Sequence, residues 1–222
     1  MISMKICVIP RRPAGGHYVL PQCDLALLGF GCIGDICFDT ELSGASDKLG
    51  EFARLTKQRA AAAVCGCRTD SRGLKRKSAA VAEGGRLVGI TDMLHVVDGE
   101  EYKSGAYLGL YRLGGYKVGL CIDNDIRYPE DIRSLSLCGC NLVACLSEQP
   151  DEMLPLLIRA YAYLYGVPVV MCAGGCAYFA DIAGKIVCSP APETVFSAQP
   201  KNSYRIVSTR ERGKFSDRVA DY

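Results

Sequence analysis

The chain is short of histidine and of net charge, and it has no long uninterrupted apolar run. Its net charge is only +2 across 222 residues. Nucleic-acid binders draw most of their affinity from clustered Lys and Arg, so this balance argues against a nucleic-acid partner. The one basic cluster, "RTDSRGLKRK" from Arg68 to Lys77, reads as a solvated loop and strand entrance. No apolar run reaches the roughly 20 residues that span a bilayer, which excludes a membrane-spanning helix. The opening "MISMKICVIP" carries no long apolar segment followed by a small-residue cleavage site, so the expected location is cytoplasmic. The glycine pairs at 84–85, 114–115 and 174–175 stand outside any G-x-G-x-x-G or G-K-[ST] context. They read as turns, and no cofactor is expected.

Cysteine is plentiful instead. The chain has thirteen, an odd number, and a core-forming chain in a reducing compartment keeps them as thiols. Cys65-Gly66-Cys67 and Cys138-Gly139-Cys140 are not C-x-x-C pairs, and only His17 and His95 are available as imidazole ligands. A thiolate metal centre needs about four converging donors. The cysteines therefore read as small buried apolar side chains.

Apolar patterning predicts strands at Lys5 to Ile9, Cys23 to Gly31 and Ala62 to Cys67, and a helix from Ser46 to Ala63 with Ser46 or Asp47 as cap. Two stretches, Ser78 to Leu94 and Ala106 to Ile122, each read as two strands about a Gly-Gly turn. A helix at 131–137, a strand at 141–146, a longer helix at 151–165 and a strand at 167–173 follow. "GKIVCSP" and "YRIVSTR" read as closing strands, ahead of a charged tail from Arg210. With no linker or repeat, residues 1–222 read as one α/β domain with mixed sheets.

The most informative stretch is "YKVGLCIDNDIRYPEDIRSL", Tyr116 to Leu135. An apolar strand breaks abruptly into Asp123, Asn124 and Asp125, and α/β proteins place their chemistry at such strand ends. The segment continues through "GCNLVACLSEQ" to "VPVVMCAGG". These pieces, in this order, resemble the nitrilase (carbon–nitrogen hydrolase) superfamily. In that family a strand ends in I-C-Y-D-x-R-F-P-E and leads to a helix, a G-A-D strand, a helix with R-A-x-E-N and a strand like "VPVV". "GGRLVGITDMLHVVDGEEY" resembles the part that carries the family's lysine, and "CDLALLGFG" the strand that ends in P-E.

The resemblance implies a four-layer α-β-β-α sandwich, assembled into dimers or larger homo-oligomers. It also implies a Cys nucleophile, a Glu base and a Lys that stabilises the oxyanion. On the matching positions, Asp123 stands at the nucleophile, Phe30 at the base and Asp92 at the lysine. Tyr161, Leu164 and Tyr165 replace the Arg, Glu and Asn of R-A-x-E-N. The connection Pro10 to Gln22 holds three prolines and two glycines. It leaves no room for the helix that follows the first strand in the family, so the N-terminal region is shortened.

A carboxylate attacking an amide forms a high-energy anhydride, Phe30 moves no proton, and Asp92 opposes an oxyanion. The expected protein is therefore a nitrilase-like binding, regulatory or scaffold subunit with a possible small-molecule ligand. The alternative is a hydrolase of amides or nitriles with a rebuilt acidic site. In that reading Asp92 and Asp123 share a proton or a hard divalent ion, with Cys121 as fallback nucleophile and Glu100 or Glu101 as fallback base. Cys121 and Asp123, two apart on a strand, are expected to face the same way. His95 reads as a local hydrogen-bonding residue, and His17 has no assigned role.

Overall fold

The computed structural model describes residues 3–11, 19–57 and 62–199. His17, the segment "YRIVSTR" and the tail from Arg210 lie outside the described residues.

Two mixed sheets form the centre. The first has the order β13-β1-β2-β4-β5-β6, with the two-residue β3 also on β4. Its strands are β1 (Met4–Ile9), β2 (Leu25–Leu28), β3 (Ile36–Cys37), β4 (Ala62–Ser71), β5 (Leu74–Glu83), β6 (Arg86–Asp92) and β13 (Thr194–Ala198). The second has the order β12-β11-β10-β9-β8-β7. Its strands are β7 (Leu110–Leu113), β8 (Tyr116–Ile122), β9 (Leu142–Ser147), β10 (Val169–Ala173), β11 (Cys176–Ala180) and β12 (Ile186–Ser189). β1, β2 and β4 run parallel in one sheet, as do β8, β9 and β10 in the other. Hairpins add β5, β6, β7, β11 and β12, β13 returns from the far end of the sequence to pair antiparallel with β1, and β3 lies parallel on β4.

Period-two alternation sorts the side chains into layers. Ile6 and Val8, Leu25 and Leu27, Ala79 and Val81 face Leu120 and Ile122, Ala144 and Leu146, and Val170 across a shared inner core. The alternate residues face outward. Cys7, Ile9, Cys65 and Ala80 meet Phe52 and Ala53 of α2 (Lys48–Lys57). Cys121, Val143 and Met171 meet α3 (Pro129–Leu137) and α4 (Met153–Tyr165) through Ile132, Ile158 and Tyr161. This is the four-layer α-β-β-α arrangement. No helix among the described residues is long and apolar enough to cross a membrane.

Most expected elements are present, with shifted ends. The helix predicted from Ser46 to Ala63 is α2, Lys48–Lys57, and the Asp47 carbonyl accepts its first helical hydrogen bond, from the Glu51 N–H at 2.8 Å. Glu41, on the short α1 (Phe38–Ser43), accepts the Lys48 and Leu49 backbone N–H groups at 3.1 Å each. The basic cluster has the expected exposed turn and strand entrance, but most of it is strand. It is the β4–β5 hairpin itself, turning at Arg72-Gly73, and it carries Arg68 and Lys77 onto the inner face.

Candidate functional site

The parallel strands β8 and β9 end side by side, and each delivers an acid. After Ile122 the chain enters a 3-10 turn, Asp123–Arg127, with Asp123 at φ 49°. Left-handed backbone is rare for residues other than glycine, and Asp and Asn tolerate it best. The reversal takes Asp123 out of the strand's alternation and turns its carboxylate between the sheets. Oδ1 there accepts the Ser147 hydroxyl and the Glu148 backbone N–H, both at 3.2 Å.

Lys77 reaches the same point from the opposite sheet. It lies on the inner face of β5, in step with Ala79 and Val81, and its ammonium donates to Asp123 Oδ2. Both side chains are 10% exposed. Glu148 Oε2 stands 4.0 Å from the same ammonium, and the Tyr102 ring centroid 5.1 Å from it. Burial works to lower the Lys77 pKa. The hydrogen bond and charge of Asp123, with Glu100 and Glu148, outweigh it, and the net shift is upward.

Arg68 pairs directly with Lys77 across the β4–β5 ladder, so two cations sit side by side. Like charges in that position repel. The neighbouring sheet supplies the compensation: Arg68 donates to Glu148 Oε1, and Asp35 lies 3.6 Å from its guanidinium. The result is a network running from Asp35 through Arg68, Glu148 and Lys77 to Asp123. It borders a cleft of about 460 Å³ at the ends of β1, β2, β9 and β10, between Pro10, Phe30, Arg68, Glu148 and Gly174. Phe30 packs against Gly66, where an added Cβ would meet its ring at 2.8 Å. The glycine of Cys65-Gly66-Cys67 is what makes room for the aromatic ring.

The other expected residues stand elsewhere. Asp92 and Asp123 do not converge. Asp92 pairs with Ser78 on the outer face of the first sheet, accepts the Ser78 hydroxyl at 2.7 Å and lies 3.5 Å from Arg76. The sheet itself separates it from Lys77 and Asp123, so no shared proton or ion joins the two acids. Cys121 does not face Asp123 either. It is buried beside Cys145 under α3 and α4, and burial pushes its thiol well above the ordinary value. Glu101 is an exposed partner of Lys75 at 2.6 Å, whereas Glu100 is the one that acts on Lys77.

No family model and no curated protein matches the sequence. Solved structures do match. A variant of the amidase from Nesterenkonia sp. AN1, with acrylamide added to its active-site cysteine, superposes with TM-score 0.69 at 15% identity, covering 97% of this chain and 99% of that one. A Cys-to-Ala variant of the same amidase, described as from the nitrilase superfamily, gives TM-score 0.66 at 15% identity over 97% of both chains. The fold is that of nitrilase-superfamily amidases. A third structure, the Cys-to-Ala variant of the amidase in complex with butyramide, gives TM-score 0.67 at 16% identity over 89% of this chain and 91% of that one.

Within this nitrilase-like fold, Lys77, Arg68 and Glu148 are the site residues that the sequence reading passed over. Their signals were present. Lys77 continues the Ala79, Val81 alternation backwards, and Glu148 ends an apolar strand just as Asp123 does.

A second cluster lies beside the first. Asp125 Oδ1 accepts the backbone N–H groups of Leu94 and His95 at 2.9 and 2.8 Å. The His95 ring stacks on Tyr128 with centroids 3.6 Å apart, and its Nε2 lies 3.0 Å from Asp131 Oδ2. Burial raises the Asp125 pKa to about 6 against the pull of those backbone donors, with the Asp131 charge adding to the rise.

Proposed function

We propose that this protein is a nitrilase-like binding or regulatory subunit without amidase or nitrilase activity. The Lys77–Asp123 pair carries this reading. Thiolate chemistry in such a fold needs a sulfur at the end of the strand and a cation free to meet an oxyanion. Here a carboxylate occupies the strand end and neutralises the buried ammonium. Phe30 offers no proton relay beside it, and Cys121 is sealed in a different core. The charged rim of the 460 Å³ cleft, with Arg68 and Glu148 facing it, suits a small polar ligand.

The natural partner is a second copy of the chain. α4 buries Leu154, Ile158 and Tyr161 and turns Met153, Leu156, Tyr163 and Leu164 outward, 45–59% exposed, as a second apolar stripe. Thirteen free thiols, nine of them buried, support a reducing, cytoplasmic setting. The deciding experiment is an assay of purified protein on short aliphatic amides, nitriles and carbamoyl compounds. No turnover above background is expected. Sustained hydrolysis that disappears in Asp123→Ala would overturn the proposal.

A further inference from the structure

We propose that His95, Asp125 and Asp131 form a binding site for a divalent first-row transition-metal ion such as Zn²⁺, Mn²⁺ or Co²⁺. One donor atom from each of the three lies within 4.8 Å of the others. The set combines one imidazole nitrogen with two carboxylates. Imidazole favours transition ions over Mg²⁺ and Ca²⁺, which take oxygen donors.

Hydrogen bonding gives an independent indication. Among the described residues, the buried side-chain nitrogen and oxygen atoms without a hydrogen bond are His95 Nε2, Asp131 Oδ2 and Glu100 Oε2. Buried polar atoms are rarely left so, and each needs an explanation. Two of the three belong to this cluster, and the third lines the same hollow as His95. Asp131 is only 6% exposed, so water does not readily compensate it. His95 Nε2 and Asp131 Oδ2 stand 3.0 Å apart, in contact with each other but outside strict hydrogen-bond geometry, and His95 partly offsets the rise that burial imposes on the Asp131 carboxyl. Two ligands each about 2.1 Å from one ion are separated by roughly 3.0 Å at an octahedral right angle and roughly 3.4 Å at a tetrahedral angle, so the pair needs at most a few tenths of an ångström of movement.

The donors are also held in place. They come from three segments: the stretch after β6, the 3-10 turn after β8, and the first turn of α3. The Leu94 and His95 backbone N–H groups fix Asp125, and Tyr128 fixes the plane of His95. Such outer contacts orient metal ligands. A hollow of about 530 Å³ lies against His95, Glu100, Tyr102 and Tyr128 but does not reach Asp125 or Asp131, so an ion held by the three donors would be enclosed by protein. An ion here ties the first sheet's last strand to the turn that carries Asp123, two residues from Asp125. Its role is to brace that turn.

The test uses the full chain, stripped with a chelator and titrated separately with Zn²⁺, Mn²⁺, Co²⁺ and Mg²⁺. The expected result is one equivalent of Zn²⁺ or Co²⁺ per chain and a rise of several degrees in Tm, both lost in Asp131→Asn and His95→Gln. The Co²⁺ complex reports the donors by its absorption, which should lack a thiolate-to-metal band. Such a band would place the ion on cysteines and overturn the proposal. Equal shifts in wild type and Asp131→Asn, a preference for Mg²⁺, or no stoichiometric binding would overturn it as well. Should His95→Gln fail to fold, Asp131→Asn and the wild-type Co²⁺ spectrum still decide.

Discussion

Lys77→Met tests the ion pair at the centre of the site. Methionine keeps an aliphatic stem near Tyr102 and removes the charge, leaving Asp123 with the Ser147 hydroxyl and the Glu148 N–H at 3.2 Å each. A unit charge pair about 4 Å apart at an effective dielectric near 20 is worth about 4 kcal/mol before desolvation. Removing one partner of a buried pair costs about 3–5 kcal/mol because the survivor stays buried. With both side chains 10% exposed and two donors left on Asp123, the lower end applies, about 3 kcal/mol. For a chain of this length that corresponds to a fall of roughly 6–12 °C in Tm. Asp123→Asn keeps a side chain suited to left-handed backbone and removes the opposite charge. Urea unfolding of both single variants and the double variant should give a coupling energy of about 2 kcal/mol that persists in high salt. Additive single effects, or a coupling abolished by salt, would refute the description of this pair as buried and mutually neutralising.

Four further outcomes follow from the same geometry. Mass-spectrometric alkylation of the native protein should mark Cys138 and Cys188 first, because they alone are exposed; fast labelling of Cys121 would contradict its burial under α3 and α4. Asp123→Cys places a thiol against the Lys77 ammonium, so iodoacetamide should label it at pH 7 several-fold faster than it labels Cys138, and Lys77→Met in that background should remove the advantage. Gly66→Ala sets a Cβ 2.8 Å from the Phe30 ring and should destabilise by about 1–3 kcal/mol in urea unfolding, with Phe30→Ala in the same chain recovering part of the loss. Leu156→Asp with Leu164→Asp should convert a dimer into a monomer by light scattering; an unchanged mass would exclude α4 as the contact.

The sheets were legible because period-two patterning survives in nearly every strand, and the segment from Cys121 to Glu130 pointed to the right fold. What stayed hidden had local causes. α1 buries no residue, so it has no apolar periodicity to read, and β3 is only two residues long. Lys77 sat in a run of basic residues that looks solvated, yet a strand places alternate members of such a run on opposite faces, and the inner one met an acid from another sheet. The expected Cys121–Asp123 alignment failed at a single backbone angle, since φ 49° at Asp123 ends the strand geometry on which alternation depends. Asp92 was placed correctly along its strand but on the wrong face for a site between sheets.

The left-handed turn at Asp123 also constrains what this position tolerates over time. Aspartate is among the residues that adopt φ 49° with least strain, and here it gains three local partners in doing so. A cysteine at the same point lacks the second oxygen that lets aspartate accept from Ser147, Glu148 and Lys77 together, and it costs about 1–2 kcal/mol in backbone strain alone. Acquiring a reactive thiol is therefore an uphill step in stability, while holding the carboxylate is downhill. Selection for robustness alone would keep this chain where it is.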